Sequence, residues 1–245
     1  MRPLAIPALA GLALAATTAA AAPAAKPSSP NHPCAALYVA ASVLSDYRFD
    51  GFSESNRRPT WQGIAYCYRT DGWYAGVELT GVDFLDQPRT HLETDFLAGR
   101  HIAVKGSDLN LGVLYTAFPD KRAPGPSYDM VELQAELSHT SRHKLTLKGQ
   151  IAWLDYLGPS ANGWHLKGTA EYAATPWLKL SGHAGEEWVE GRADRLHWDV
   201  GATATWRRLS LDVRYGGTDL KPAQCYFTRW CSPGLAVGLT YTLSP

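Results

Sequence analysis

The chain has 245 residues with twenty-three basic and twenty-three acidic side chains, a balance that gives no case for nucleic acid as a partner. No stretch after the N terminus approaches the ~20 apolar residues of a transmembrane helix, but a transmembrane strand needs only ~9–11 residues, half of them free to be polar. Twelve Tyr, nine Trp, six Phe and twenty-two Gly suit a membrane barrel, and they also suit an aromatic-rich soluble β protein.

Met1-Arg2, an apolar run over 4–16 and an alanine-rich tail to Ala22 make the three parts of a secretory signal, 1–21, with cleavage around Ala21. A membrane-anchoring helix is the competing reading, but the strongly apolar part is short. Residues 22–35 read as a flexible leader, rich in Pro, Ala and Ser, and 36–243 as the folded body.

Alternation of apolar and polar residues then recurs to the C terminus and predicts about twelve strands. The first, near 37–49, sets Leu37, Val39, Ala41 and Val43 against Tyr38, Ser42, Asp46 and Arg48. A polar loop is expected over 50–60, a strand over 61–69, a tight turn at Thr70-Asp71-Gly72 and a third strand over 73–84. In that third strand Trp73, Ala75, Val77 and Leu79 oppose Gly76, Glu78 and Thr80. The fourth sets Leu92, Thr94, Phe96 and Ala98 against Glu93 and Asp95, and the fifth covers 109–117.

Pro119, Pro124 and Pro126 exclude a central strand over 118–127. Beyond it Val131, Leu133, Ala135 and Leu137 oppose Met130, Glu132, Gln134 and Glu136, a pattern that gives a poor stripe on a helix. Four more strands place Lys144 and Lys148, then His165 and Lys167, then Lys179 and His183, then His197 and Asp199 on their polar faces. After the minimal turn Arg207-Arg208, Asp212 and Arg214 oppose Leu211, Val213 and Tyr215, and a last strand runs over 235–243.

Connections alternate in length. Those near 70–72, 101–108, 139–143, 174–176 and 207–208 are mostly short, and those near 50–60, 85–90, 118–127, 157–163, 188–194 and 217–233 are mostly longer. Up-and-down threading puts each set at one end, the arrangement of outer-membrane barrels with short periplasmic turns and an even strand count. The expected fold is therefore all-β, a transmembrane antiparallel up-and-down barrel. Trp61, Trp73, Trp153, Trp164, Trp177, Trp188 and Trp206 fall near strand ends, as in an aromatic girdle. Threading places Cys34 and Cys67 on neighbouring strands at the short-turn end and Cys225 with Cys231 in the last long loop, so two local disulfides are possible.

With the apolar faces toward lipid, the lumen is expected to be lined by Arg48, Glu78, Glu93, Asp95, Glu132, Glu136, Lys144, Lys148, His165, Lys167, Lys179, His183, His197, Asp199, Asp212 and Arg214. An acidic wall would face a basic one, a field that orients small polar solutes or ions in a narrow channel. The same charges could instead pair and plug the barrel. Two other functions compete. Ser181, His183, His197 and Asp199 are the groups of nucleophilic catalysis, which would suit a lipid hydrolase, though no Gly-x-Ser-x-Gly is present. The loop over 219–231, with Tyr226, Phe227 and Trp230, would suit a closed barrel that binds a partner. No Gly-rich phosphate loop and no Cys-x-x-Cys or zinc spacing is present, so no cofactor or metal is implied.

The chain resembles the TorF-family porins. Ser45-Asp46-Tyr47, Gly51, Ser53-Glu54-Ser55, Trp61-Gln62-Gly63, Gly72-Trp73-Tyr74-Ala75-Gly76-Val77, Gly81-Val82-Asp83-Phe84, Gly112-Val113-Leu114-Tyr115, Phe118-Pro119, and Tyr128 with Glu132 carry the resemblance. It implies a barrel in the outer membrane of a Gram-negative bacterium, with lipid, small solutes and the insertion machinery as partners. Two features depart from expectation: Asp50 precedes Gly51 where the family often has an arginine, and the chain ends Leu243-Ser244-Pro245 where outer-membrane barrels commonly end in an aromatic.

Overall fold

The computed structural model describes residues 34–85, 90–119, 129–157 and 161–243. The signal 1–21, most of the 22–35 leader, Pro124, Pro126, Tyr128 and the terminal Ser244-Pro245 lie outside the described residues. Fourteen strands are present among the described residues: β1 (Ala36–Leu44), β2 (Arg48–Phe49), β3 (Phe52–Ser53), β4 (Thr60–Tyr68), β5 (Trp73–Gly81), β6 (Leu92–Val104), β7 (Ser107–Ala117), β8 (Met130–Thr140), β9 (Leu145–Tyr156), β10 (Ala161–Ala173), β11 (Leu178–Val189), β12 (Arg195–Trp206), β13 (Leu209–Thr218) and β14 (Gly234–Thr242).

All but β2 and β3 form one closed antiparallel barrel of twelve strands, in which each strand pairs with its sequence neighbour and β1 closes on β14. Closure removes every sheet edge, which an open sheet of this length would leave exposed. At the short-turn end the chain reverses through tight turns with positive φ, such as Lys105-Gly106 at +48° and +83°, where the glycine takes its left-handed position without strain. Lys144 belongs to this end too. It was expected on a strand face, but it lies in the turn before β9 with φ +62° and is exposed.

Alternation sorts the side chains as the period of two requires. Leu37, Phe96, Leu133, Leu147, Ile151, Leu166, Val200 and Leu235 are exposed on the outer face. Trp61, Trp164 and Trp188 mark its long-loop end, while Trp73, Trp177 and Trp206 mark its short-turn end. Trp177, just before β11, and Trp188 within it are eleven residue steps apart, which is ~36 Å of strand, or ~28 Å along the axis at a tilt of ~40°. That is close to the height of a bilayer's apolar band.

Strand 37–49 is shorter than its alternation suggests. β1 stops at Leu44, and residues 45–59 turn back into the barrel instead of standing out as a loop. Within them β2 and β3 form a miniature hairpin around Asp50-Gly51, with φ of +39° and +79°. Positive φ at both central residues makes this a tight two-residue turn, for which Asp-Gly is a favoured pair. Gly51 is also pressed against the Gly217 backbone, where a Cβ has no room.

Both cysteine pairs are bonded, Cys34–Cys67 with Cα atoms 5.3 Å apart and Cys225–Cys231 with Cα atoms 6.0 Å apart.

Candidate functional site

The barrel interior is the candidate site, and the folded-in hairpin divides it. Asp46 organises the segment: its carboxylate accepts from Arg48 Nε at 2.6 Å and from Ser53 Oγ at 2.5 Å. Arg48 then reaches outward from the segment, donating to the carbonyl oxygens of Gly216 at 3.2 Å and Ser232 at 3.0 Å. It therefore acts as a clamp between hairpin and wall rather than as a residue of strand one. Tyr47 donates its hydroxyl to Glu93 at 2.9 Å on β6. Burial first, then the charge of Glu93, pushes that hydroxyl well above its usual pKa, so it remains a donor.

Above the hairpin sits a lid. Tyr47, Phe52, Val82, Phe84, Phe118, Trp230 and the Cys225–Cys231 pair form one buried cluster. Trp230 stacks edge-on against Phe52 at 5.6 Å and donates Nε1–H to Asn56 at 2.9 Å. The last long loop is thus part of the closure.

Below the lid the hairpin spans the lumen. Phe49 packs on one wall against Ile64, Tyr66, Tyr74, Leu97 and Leu114 from β4–β7. Asp50 meets the opposite wall: Lys167 Nζ at 3.4 Å and His165 Nε2 at 3.5 Å from β10, His183 Nε2 at 3.6 Å from β11, and His197 Nδ1 at 3.5 Å from β12. Its side chain is 1 % exposed. Burial alone would raise the Asp50 carboxyl, but Lys167 and the three histidines outweigh it and hold the group well below the ordinary carboxylate range.

Apart from Lys144, the expected acidic and basic walls are on inward faces, the acids on β5, β6 and β8 and the lysines with His165 and His183 on β9 to β11. Glu78, Glu93, Asp95 and Glu132 are buried, with Glu78 directly opposite Asp95 in the β5–β6 register. Tyr66 donates to Glu78. Glu136 is half-buried nearer the short-turn end. At that end the charges pair in a half-open vestibule: Lys148 with Glu171 at 3.3 Å, Lys179 with Glu171 at 3.7 Å, and Arg214 with Asp199 at 3.1 Å and Asp212 at 2.8 Å.

Sequence reasoning missed Asp50 and a buried ion pair, Arg195 with Glu187 at 2.9 Å. The first had a signal, Asp-Gly between two phenylalanines. The second had the same alternation as its neighbours. The catalytic grouping does not assemble in the order acyl transfer needs: His183 Nδ1 contacts Asp199 at 3.0 Å, but Ser181 Oγ accepts from Arg214 at 3.2 Å.

A family model described as "Bacterial protein of unknown function (Gcw_chp)" matches residues 24–235. The chain belongs to this family. No curated protein matches it in sequence. Among solved structures it is similar to a KdgM porin in complex with disordered oligogalacturonate, with a TM-score of 0.58 at 10 % identity over 84 % of this chain and 98 % of that one. It is similar also to the NanC porin, with a TM-score of 0.57 at 11 % identity over 85 % of this chain and 100 % of that one. A third is the COG4313 outer membrane channel from Pseudomonas putida F1, with a TM-score of 0.53 at 14 % identity over 85 % of this chain and 95 % of that one. At such identities the likeness is one of fold, the porin-like β-barrel.

Proposed function

We propose that the protein is an outer-membrane porin of a Gram-negative bacterium, exported by its 1–21 signal, that passes small polar solutes or ions by diffusion when the 45–59 segment leaves the lumen. One observation carries the reading: the element that fills the barrel is held by removable polar and aromatic contacts, and no disulfide ties it to the wall. A barrel that served only as a scaffold would have no need of a separable filling. The apolar outer band between two tryptophan rows fits lipid, and insertion into it would use the outer-membrane assembly machinery. Resemblance to the TorF-family porins and the fold shared with KdgM and NanC support the same reading.

The lumen-lining residues are then those of the vestibule and of the two walls around the hairpin. Vestibule charges set ion preference because they pair in a half-open space: Lys148, Lys179 and Arg214 offset Glu171, Asp199 and Asp212. Single-channel recording in planar bilayers tests this. Neutralising Lys148, Lys179 and Arg214 together leaves the three carboxylates uncompensated and should shift selectivity toward cations. Discrete openings with unchanged selectivity would place the conducting path elsewhere.

A second reading, a closed barrel that binds a partner through its lid, is favoured by the burial of the filled half of the lumen. Openings of the folded wild-type protein would argue against it.

A further inference from the structure

We propose that Asp50, His183 and His197 form a site for one divalent transition-metal ion of the Zn2+ type, which clips the inward hairpin to the barrel wall. The three donor atoms make a nearly regular triangle: His197 Nδ1 to His183 Nε2 is 3.3 Å, His197 Nδ1 to Asp50 Oδ1 is 3.5 Å, and His183 Nε2 to Asp50 Oδ1 is 3.6 Å. The centre of a triangle with edges of ~3.5 Å lies ~2.0 Å from each corner, which is the length of a zinc bond to imidazole nitrogen or carboxylate oxygen. Two imidazoles and one carboxylate select zinc-like ions over the hard cations Mg2+ and Ca2+, which prefer all-oxygen shells.

The surroundings orient the ligands as metal sites require. His183 gives its other nitrogen, Nδ1, to Asp199 at 3.0 Å, and Arg214 holds Asp199 in turn at 3.1 Å. With the proton on Nδ1, the Nε2 lone pair of His183 faces the triangle. The other nitrogen of His197, Nε2, contacts His165 Nε2 at 2.8 Å. When His197 carries its proton there and donates to His165, Nδ1 is free to ligate. Asp50 Oδ2 is buried without a hydrogen bond, an unsatisfied acceptor within the cluster.

Lys167 is the group that a cation must displace, since its ammonium lies 3.4 Å from Asp50 Oδ1. It has an alternative: its field reaches Glu132, whose buried Oε2 also lacks a hydrogen bond. Two ligands come from the wall and one from the hairpin, so the ion would bind the docked state and favour it over the released state. The site stands whether or not the barrel conducts.

Isothermal titration of the full-length, detergent-folded protein with Zn2+ tests the assignment, with barrel integrity checked by heat-modified mobility on gels. One tight equivalent is expected, undiminished by excess Mg2+, together with slower amide exchange over 46–56. H183A and H197A should each weaken it at least ~100-fold, and D199N, which only positions His183, ~10- to 100-fold. D50N leaves every barrel strand intact and should weaken binding as much as the histidine variants, so a misfolded wall variant does not decide the matter. Absence of a saturable equivalent, or wild-type affinity retained in D50N and in H183A, would overturn the proposal and assign any zinc to exposed imidazoles such as His101 and His139.

Discussion

Replacing Asp50 by Asn removes one charge from the point where the hairpin meets the far wall. Asp50 is 1 % exposed and Lys167 is 12 % exposed, so neither is screened much by solvent. Breaking a buried pair by deleting one partner typically costs ~3–5 kcal/mol, because the other charge is left uncompensated. Here the loss is smaller. Asn keeps the shape and one hydrogen bond, and Glu132 is within the field of the stranded ammonium. About 2–3 kcal/mol remains, which is a ~30- to 150-fold rise in the released fraction of the hairpin. Hydrogen exchange of the detergent-folded protein, followed by mass spectrometry with EDTA present to exclude metal, reads this directly. Protection of the 46–56 amides should fall by that factor while the strands stay protected. Protection within ~3-fold of wild type would mean that the Phe49 contacts and the lid hold the segment without the carboxylate.

The same pair of proteins tests the electrostatics. Asp50 titrates lower when docked than when free, so its contribution to docking is fully present above about pH 3.8 and is lost only as pH falls through the depressed docked value. The protection difference between wild type and D50N should therefore persist at pH 4.5. His165, His183, His197, Lys167, Glu132, Glu187 and Arg195 face the group in both proteins, so the comparison reads Asp50 together with its coupling to them; a difference already gone at that pH would mean Lys167 and the histidines do not hold the carboxylate. G51A acts through the backbone instead. A non-glycine residue at φ +79° costs ~1–2 kcal/mol, and its Cβ would meet the Gly217 backbone, so proteases should cut within 45–59 while the barrel stays folded.

The barrel itself was legible in the sequence because one constraint governs each strand: lipid outside demands an apolar residue at every second position. Leu133, Leu147 and Leu166 satisfy it, and length sorting of the loops gave the two ends. No such constraint governs the inside. Glu93, Lys167 and His197 read as wall residues, but alternation is silent on whether water or protein lies against them. The hairpin was hidden because a polar stretch between strands reads as an exposed loop, although Phe49-Asp50-Gly51-Phe52 carries its own turn signal. The metal ligands were illegible for a different reason. His183, His197 and Asp50 come from two strands and a folded-in turn, so no sequence spacing records their meeting. Lys144 was misplaced by a boundary shift of one residue, the least certain part of any strand reading.

In the proposed porin, closure of the barrel by residues 45–59 is what prevents conduction. Planar-bilayer recording of a variant in which 46–57 are replaced by a short Gly-Ser linker, beside wild type, addresses it most directly. Rare or brief openings are expected in wild type, and steady, discrete conductance steps in the variant. A folded variant that inserts and stays as silent as wild type would contradict this.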